Sequence, residues 1–234
     1  MLIQIGLVIA YMGLTHVAVV FGNDRIALVA LLLLLMLFLL TPIRRGKRWP
    51  YALLVSGIAG VMMAPAAPWA RLVLFVPPVA INVGLAWLFG HTLFPGKTPL
   101  VERIIRQMHR ADEVLDPSVW TYARQVTTVW TGLFCMNTLL CLGLAMVAAP
   151  GGILSLIGMV PPFTIPAAYW SLFSDLGCYL LTGVLFLAEY SYRKRRFPWQ
   201  PYRNFFDFLR RAIAIGPAVM ADLARDSARA EGER

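Results

Sequence analysis

The sequence predicts an all-α, polytopic membrane protein: a transmembrane helical bundle of about six spans, with amphipathic helices lying along its cytoplasmic side. Three observations predict it. Of 234 residues, 59% are hydrophobic and 14% are charged, and the mean hydropathy is +0.68, whereas soluble domains carry about 25% charged residues. The apolar residues fall in runs of bilayer length. The 21 Lys and Arg, which give a net charge of +9, collect between those runs and in the C-terminal segment. That placement is a membrane-topology pattern and argues against nucleic acid as a partner.

A hydrocarbon core about 30 Å thick takes about 20 apolar residues as helix, because lipid offers no water to open backbone groups. Six stretches meet or approach that length: Leu2–Phe21, Ile26–Ile43, Tyr51–Trp69, Leu72–Gly90, Val126–Ala149 and Ala167–Glu189. The first has no basic leader and no small-x-small cleavage site, so it reads as a retained helix. Pro65 and Pro68 shorten the third, and Pro77-Pro78 should bend or delay the fourth. Residues Pro150 to Pro166 carry four prolines and no charge, which predicts a short interfacial or re-entrant segment instead of a seventh helix.

The basic residues set the orientation. With the N-terminus inside, the inner loops hold Arg44, Arg45, Lys47 and Arg48, then Lys97, Arg103, Arg106, Arg110 and Arg124, against Arg25 and Arg71 outside. Short-loop bias of this kind fixes topology. Both termini are therefore expected in the cytoplasm. The expected organisation is four spans over residues 1–90, a cytoplasmic amphipathic loop over 91–125, two spans and a Pro-rich periplasmic segment over 126–189, and a basic tail over 190–234.

Within the 91–125 loop, Thr98 and Pro99 predict a helix N-cap and first helical position, with Glu102 in the first turn, where the helix dipole favours an anion. Leu100, Val101, Ile104, Ile105 and Met108 form an apolar stripe opposed by Arg103, Arg106, Gln107 and Arg110. Asp116-Pro117-Ser118 starts a second helix expected to run unbroken into the fifth span. In the tail, Phe205, Phe208, Leu209 and Ile213 oppose Arg203, Asp207 and Arg211. Basic faces beside apolar stripes attract anionic phospholipid headgroups, so Arg103, Arg106, Arg110, Arg193, Lys194, Arg195 and Arg196 are candidate lipid-binding or carrier-binding residues. The plainer reading makes them topological anchors.

Ionisable groups inside a span are expensive and mark candidate sites. On the sixth span Ser171, Asp175, Cys178, Thr182 and Glu189 share one stripe, and on the fifth Arg124, Thr128, Thr131, Cys135 and Thr138 do. These predict inward faces and an Arg124–Glu189 ion pair, although hydroxylated stripes also serve simply as helix-helix contacts. His16 and Asn82 are further intramembrane polar candidates, read first as packing groups with satisfied hydrogen bonds. Cys135, Cys141 and Cys178 lie in apolar runs without metal spacing and are expected as buried, reduced thiols.

Catalytic signatures are sparse. The sequence has no GxSxG, HExxH, Walker or dinucleotide motif and no paired Cys/His set, so no metal and no cofactor is expected. His91 and Glu102 are weak candidates for acid-base chemistry at the inner interface.

Phe89-Gly90-His91-Thr92-Leu93, Pro95-Gly96, Pro99-Leu100-Val101 and Arg103 recur in order with Tyr122-Ala123-Arg124-Gln125-Val126-Thr127, Trp130, Trp170-Ser171-Leu172-Phe173 and Glu189-Tyr190-x-Tyr192-Arg193-x-Arg195-Arg196. Over about residues 80 to 198 this resembles an uncharacterised bacterial inner-membrane family encoded among genes for aryl polyene and xanthomonadin-type pigment lipids. The resemblance implies a context in which acyl chains built on acyl carrier protein are loaded onto lipid at the inner membrane. It brings no reaction with it.

Three functions follow as expectations. The first is an accessory or scaffold protein of such a pathway, with acidic acyl carrier protein or pathway enzymes as partners of the basic face. The second is a small lipid transporter or flippase-like subunit, favoured by Asp175 and the Pro-broken segments. The third is a membrane acyl-transfer enzyme using His91 or Glu102.

Overall fold

A computed structural model of the chain describes residues 2–21, 23–63, 69–109, 116–197, 202 and 204–232. It is mostly helical. The helices are α1 (Leu2–Phe21), α2 (Asp24–Arg44), α3 (Trp49–Met63), α4 (Trp69–Gly90), α5 (Leu100–Met108), α6 (Pro117–Val147), α7 (Ile153–Leu156), α8 (Ala167–Leu172), α9 (Cys178–Arg196) and α10 (Phe205–Gly232). A 3₁₀ turn at His91–Leu93 follows α4, and a π turn at Phe173–Gly177 joins α8 to α9.

Among the described residues, three helices are long and apolar enough to cross a membrane: Arg25–Arg44, Phe75–Leu93 and Pro117–Val147. Trp49–Gly60 is a shorter apolar helix. Large apolar side chains on the three long helices face outward: Phe38 is 73% exposed and Leu139 71%. Long helices that leave such side chains uncovered are suited to lipid. The chain thus has the makeup of a membrane protein.

Local chemistry explains the helix ends. The Asn23 side chain caps α2 by accepting from the backbone N–H of Arg25 (3.0 Å) and Ile26 (3.3 Å). At its other end Gly46, at φ +71°, sends its N–H to Ile43 O while Lys47 reaches Pro42 O. This is a Schellman ending, which needs a left-handed residue. Asp116 caps α6 through the Ser118 N–H (2.7 Å), and Pro117 fits the first helical position because its missing N–H has no helical partner to lose. As expected, α6 then runs unbroken for 31 residues.

The described chain forms two compact units, Met1–Asn82 with Asn137–Leu180, and Val83–Met136 with Leu181–Arg234. In the first, α1 packs on α2 and α8, and α2 on α3. Ala18, Ala27 and Ala30 are fully buried, and small residues of this kind let helix backbones approach closely in lipid. Gly57 serves α3 in the same way: a Cβ there would meet Leu35 Cδ2 at 2.7 Å. Trp170, with no exposed surface, meets Phe75 edge-on at 4.4 Å and donates its indole N–H to the Cys141 carbonyl (3.1 Å).

One expectation changes in this unit. Pro77 and Pro78 do not delay the fourth helix, which runs continuously from Trp69; Asn82 Nδ2 donates to the Pro78 carbonyl (2.8 Å). The Pro150–Pro166 region, as expected, holds no long helix. It consists of α7 between two-residue strands β1 (Ala148–Ala149) and β2 (Ile165–Pro166), paired in parallel.

The second unit contains α5, the first part of α6, the body of α9 and α10. Its core is aromatic: Phe89, Trp130 and Phe134 stack within 6 Å of one another, and Phe186 meets Phe205 and Phe208. The tail helix was expected to present Phe205, Phe208, Leu209 and Ile213 as one face. Phe208 is instead buried and Phe205 packs on Tyr190, while Phe206, Leu209, Ile213 and Met220 are exposed. The apolar residues of α10 are numerous enough to divide between two sides of the helix. Arg203 lies outside the described residues.

Candidate functional site

The second unit carries the best-built polar site. On α6, Tyr122, Val126, Trp130 and Phe134 recur every four residues and are all buried, so this is the face turned to α9. At its first turn the Tyr122 hydroxyl donates to Glu189 Oε1 (2.7 Å). One turn further along α9, Arg193 pairs with the same carboxylate, Nε to Oε1 at 2.9 Å and Nη2 to Oε2 at 3.3 Å. Both charges are almost hidden, at 11% and 6% exposure. The guanidinium also lies over the rings of Phe208 (4.2 Å) and Tyr202 (5.4 Å), a cation–π setting that substitutes for lost water. Burial pushes the Tyr202 phenol up to about 12, against the pull of Arg193.

A groove of about 320 Å³ opens beside this network, at the small end of ligand-site volumes. Val126, Val129, Trp130, Leu185 and Ala188 form its apolar wall, and Tyr122, Gln125, Glu189 and Tyr192 its polar end. Because Glu189 is matched by Arg193, that end offers hydrogen-bond partners without a net charge. It suits an apolar chain with an uncharged polar head.

The second built feature is Arg103 on α5. It had been placed on the polar side of its helix, yet it is 5% exposed. Its Nη1 meets Asp222 Oδ2 at 2.6 Å, its Nη2 meets Asp226 Oδ2, and its Nε donates to the Thr98 carbonyl (3.0 Å). Burial alone disfavours the charged form, but the hydrogen bonds to Asp226 and Asp222 outweigh it and hold Arg103 above its ordinary value. The acid pair is spaced i, i+4 on α10, so one guanidinium fork spans both. The start of α5 is also shifted by one residue from expectation: Pro99 is the N-cap, without a side-chain cap of its own. The hydroxyls of Thr92 and Thr127 accept the open N–H groups of Leu100 (3.0 Å) and Val101 (3.3 Å) instead.

The other candidates fall as follows. Arg124 does not meet Glu189; its Nη2 donates to the Leu93 carbonyl (2.8 Å). At 100° per residue, Arg124 is about 200° round the helix from Tyr122, and it is Tyr122 that faces α9. Thr128 and Cys135, on the same side of α6 as Arg124, are likewise exposed, Cys135 against its expected burial. Thr128 and Thr131 turn their hydroxyls back to the carbonyls of Arg124 and Thr127, so they need no partner on another helix. Arg106 is 61% exposed, pairs with Glu102 at 2.7 Å and lies 4.8 Å over Trp120. Lys194, Arg195 and Arg196 are exposed, and Arg110 lies outside the described residues.

His91 Nδ1 is 2.8 Å from the Trp87 carbonyl; a carbonyl only accepts, so Nδ1 carries the hydrogen. Glu102 is engaged by Arg106. The two catalytic candidates are thus held by separate local partners. In the first unit His16 Nδ1 and Ser171 Oγ are 2.9 Å apart. Asp175 has its backbone in the π turn, and its side chain lies outside the described residues. Among the described residues no group of three His, Cys, Asp or Glu is placed to hold a metal.

Sequence reasoning missed Tyr122, Asp222 and Asp226, although their i, i+4 spacings were readable, and Asn137. The Asn137 amide is fully buried, with no hydrogen-bond partner among the described residues. The chain matches no family model, no curated protein and no solved structure.

Proposed function

We propose that this chain is a bacterial inner-membrane protein of about six spans, with both termini cytoplasmic, that serves as a non-catalytic accessory of aryl polyene or fatty-acyl lipid biosynthesis. It holds an acyl-bearing intermediate at the cytoplasmic leaflet, where carrier protein and pathway enzymes can reach it. The observation that carries this reading is the groove between α6 and α9, with its five apolar wall residues and its charge-matched Tyr122–Glu189–Arg193 end. An extended chain fits the wall, and an uncharged head fits the end. The exposed Lys194, Arg195 and Arg196 beside it favour anionic headgroups or an acidic carrier. The engagement of His91 and Glu102 by local partners weighs against the acyl-transfer alternative.

Lipid and pigment analysis of a deletion strain complemented with variants tests this. The accessory reading expects acyl intermediates to accumulate without the protein, His91→Ala to restore product, and Ala188→Trp, which fills the groove, to fail. Full complementation by Ala188→Trp removes the groove from the account, and failure of His91→Ala revives the enzyme.

A second reading, a flippase-like transporter, is favoured by the π turn that contains Asp175, since such turns occur often at functional sites. It expects Asp175→Asn to leave early intermediates normal while stranding finished lipid in the inner membrane.

A further inference from the structure

Two thiols of the first unit lie against each other. Cys141 on α6 and Cys178 at the start of α9 have their Sγ atoms 3.3 Å apart, and the residues are 0% and 4% exposed. They are 37 positions apart in sequence, so helix packing and not chain proximity brings them together. Around them stand Trp170, whose indole N–H is bound to the Cys141 carbonyl, and the fully buried Ala145. A zinc ion, with bonds of about 2.3 Å to sulfur, needs its thiolates further apart than this and further ligands beside them, and among the described residues no group of three His, Cys, Asp or Glu is placed to hold a metal. Disulfide formation asks only that the sulfurs close by roughly 1 Å.

We propose that Cys141 and Cys178 are a redox pair, converted to an intramolecular disulfide by a lipid-soluble oxidant of the quinone class. Both S–H bonds break and one S–S bond forms. The two electrons and two protons pass to the quinone, which leaves as hydroquinone. The burial of the pair selects the oxidant: glutathione disulfide and other charged thiol reagents are excluded from an apolar site, whereas a quinone partitions into it. The product ties α6 covalently to α9. Cys135, exposed on another face of α6, stays a thiol throughout.

The test uses the full-length protein in detergent, reduced with a phosphine that is then removed. Samples are treated with decylubiquinone or with glutathione disulfide, quenched in acid, unfolded and alkylated, and the attached maleimides are counted by intact mass. The reduced protein should take three labels, one for each cysteine. After the quinone it should take one, at Cys135, with the chain otherwise lighter by two hydrogens and still monomeric; after glutathione disulfide it should still take three. In a Cys141→Ser chain, Cys178 should remain reactive after quinone. Three labels after quinone, a quinone adduct in place of hydrogen loss, or loss of Cys178 reactivity in the Cys141→Ser chain overturns the pairing. Equal oxidation by glutathione disulfide overturns the assignment of the oxidant.

Discussion

Arg103→Ala removes a guanidinium that joins α5 to the acid pair on α10. Arg103 is 5% exposed, while Asp222 and Asp226 are 43% and 44% exposed. A fully buried pair broken at one partner costs about 3–5 kcal/mol, because the remaining charge is stranded. Here the stranded groups are carboxylates that still reach solvent, so the loss lies well below that range, at about 2 kcal/mol once screening is allowed for. That corresponds to about thirtyfold in the docked-to-undocked ratio of the tail helix. Hydrogen exchange reads it directly. If α10 opens as a unit, the amides of Phe205–Gly232 should exchange about thirtyfold faster in Arg103→Ala, with α6 unaffected. A chain carrying Asp222→Asn with Asp226→Asn should show an effect of the same order, and adding Arg103→Ala to it should change little more, because all three changes remove one interaction. Unchanged exchange over α10, or effects that add in full, would refute the view that this clasp holds the tail helix.

Glu189→Gln leaves Arg193 buried without its counter-charge and should lower stability in detergent by about 3 kcal/mol; Glu189→Gln with Arg193→Met should recover most of the loss in a thermal unfolding assay. Asn137→Leu exchanges a buried amide without described partners for an isosteric apolar group and should raise the unfolding midpoint by the equivalent of about 1 kcal/mol. The Tyr202 phenol is raised to about 12 from an ordinary 10.0, so the folded chain binds more protons than the unfolded one between those values. Its contribution is intact below pH 10 and disappears as pH rises towards about 12; stability measured across that window should fall, and Tyr202→Phe should flatten the fall.

The sequence made visible what depends on composition and on short-range chemistry. The run Leu31 to Leu40 could only be a long apolar helix, and Asp116-Pro117-Ser118 could only start one, because cap and proline chemistry act within a few residues. The polar site was less legible. Arg124 and Glu189 were matched by charge and depth, but the inward face of α6 is chosen by bulk: Tyr122, Val126, Trp130 and Phe134 fill more space than the threonine stripe, and Thr128 and Thr131 satisfy their hydroxyls on their own helix. The periodicity of α5 taken alone puts Arg103 on its polar face, open to lipid headgroups or a carrier. The burial of Arg103 depends on α10, more than a hundred residues away, and only the i, i+4 spacing of Asp222 and Asp226 hinted at a single cation between them. The groove had no local signature, since it is made by the spacing of two helices.

Topology mapping with paired reporters tests the central claim most directly. Fluorescent-protein and alkaline-phosphatase fusions placed after Asn23, Gln107, Gly158 and Gly232 should give fluorescence at Gln107 and Gly232 and phosphatase activity at Asn23 and Gly158. Phosphatase activity at Gln107 would put the basic connection on the far side of the bilayer and contradict the account.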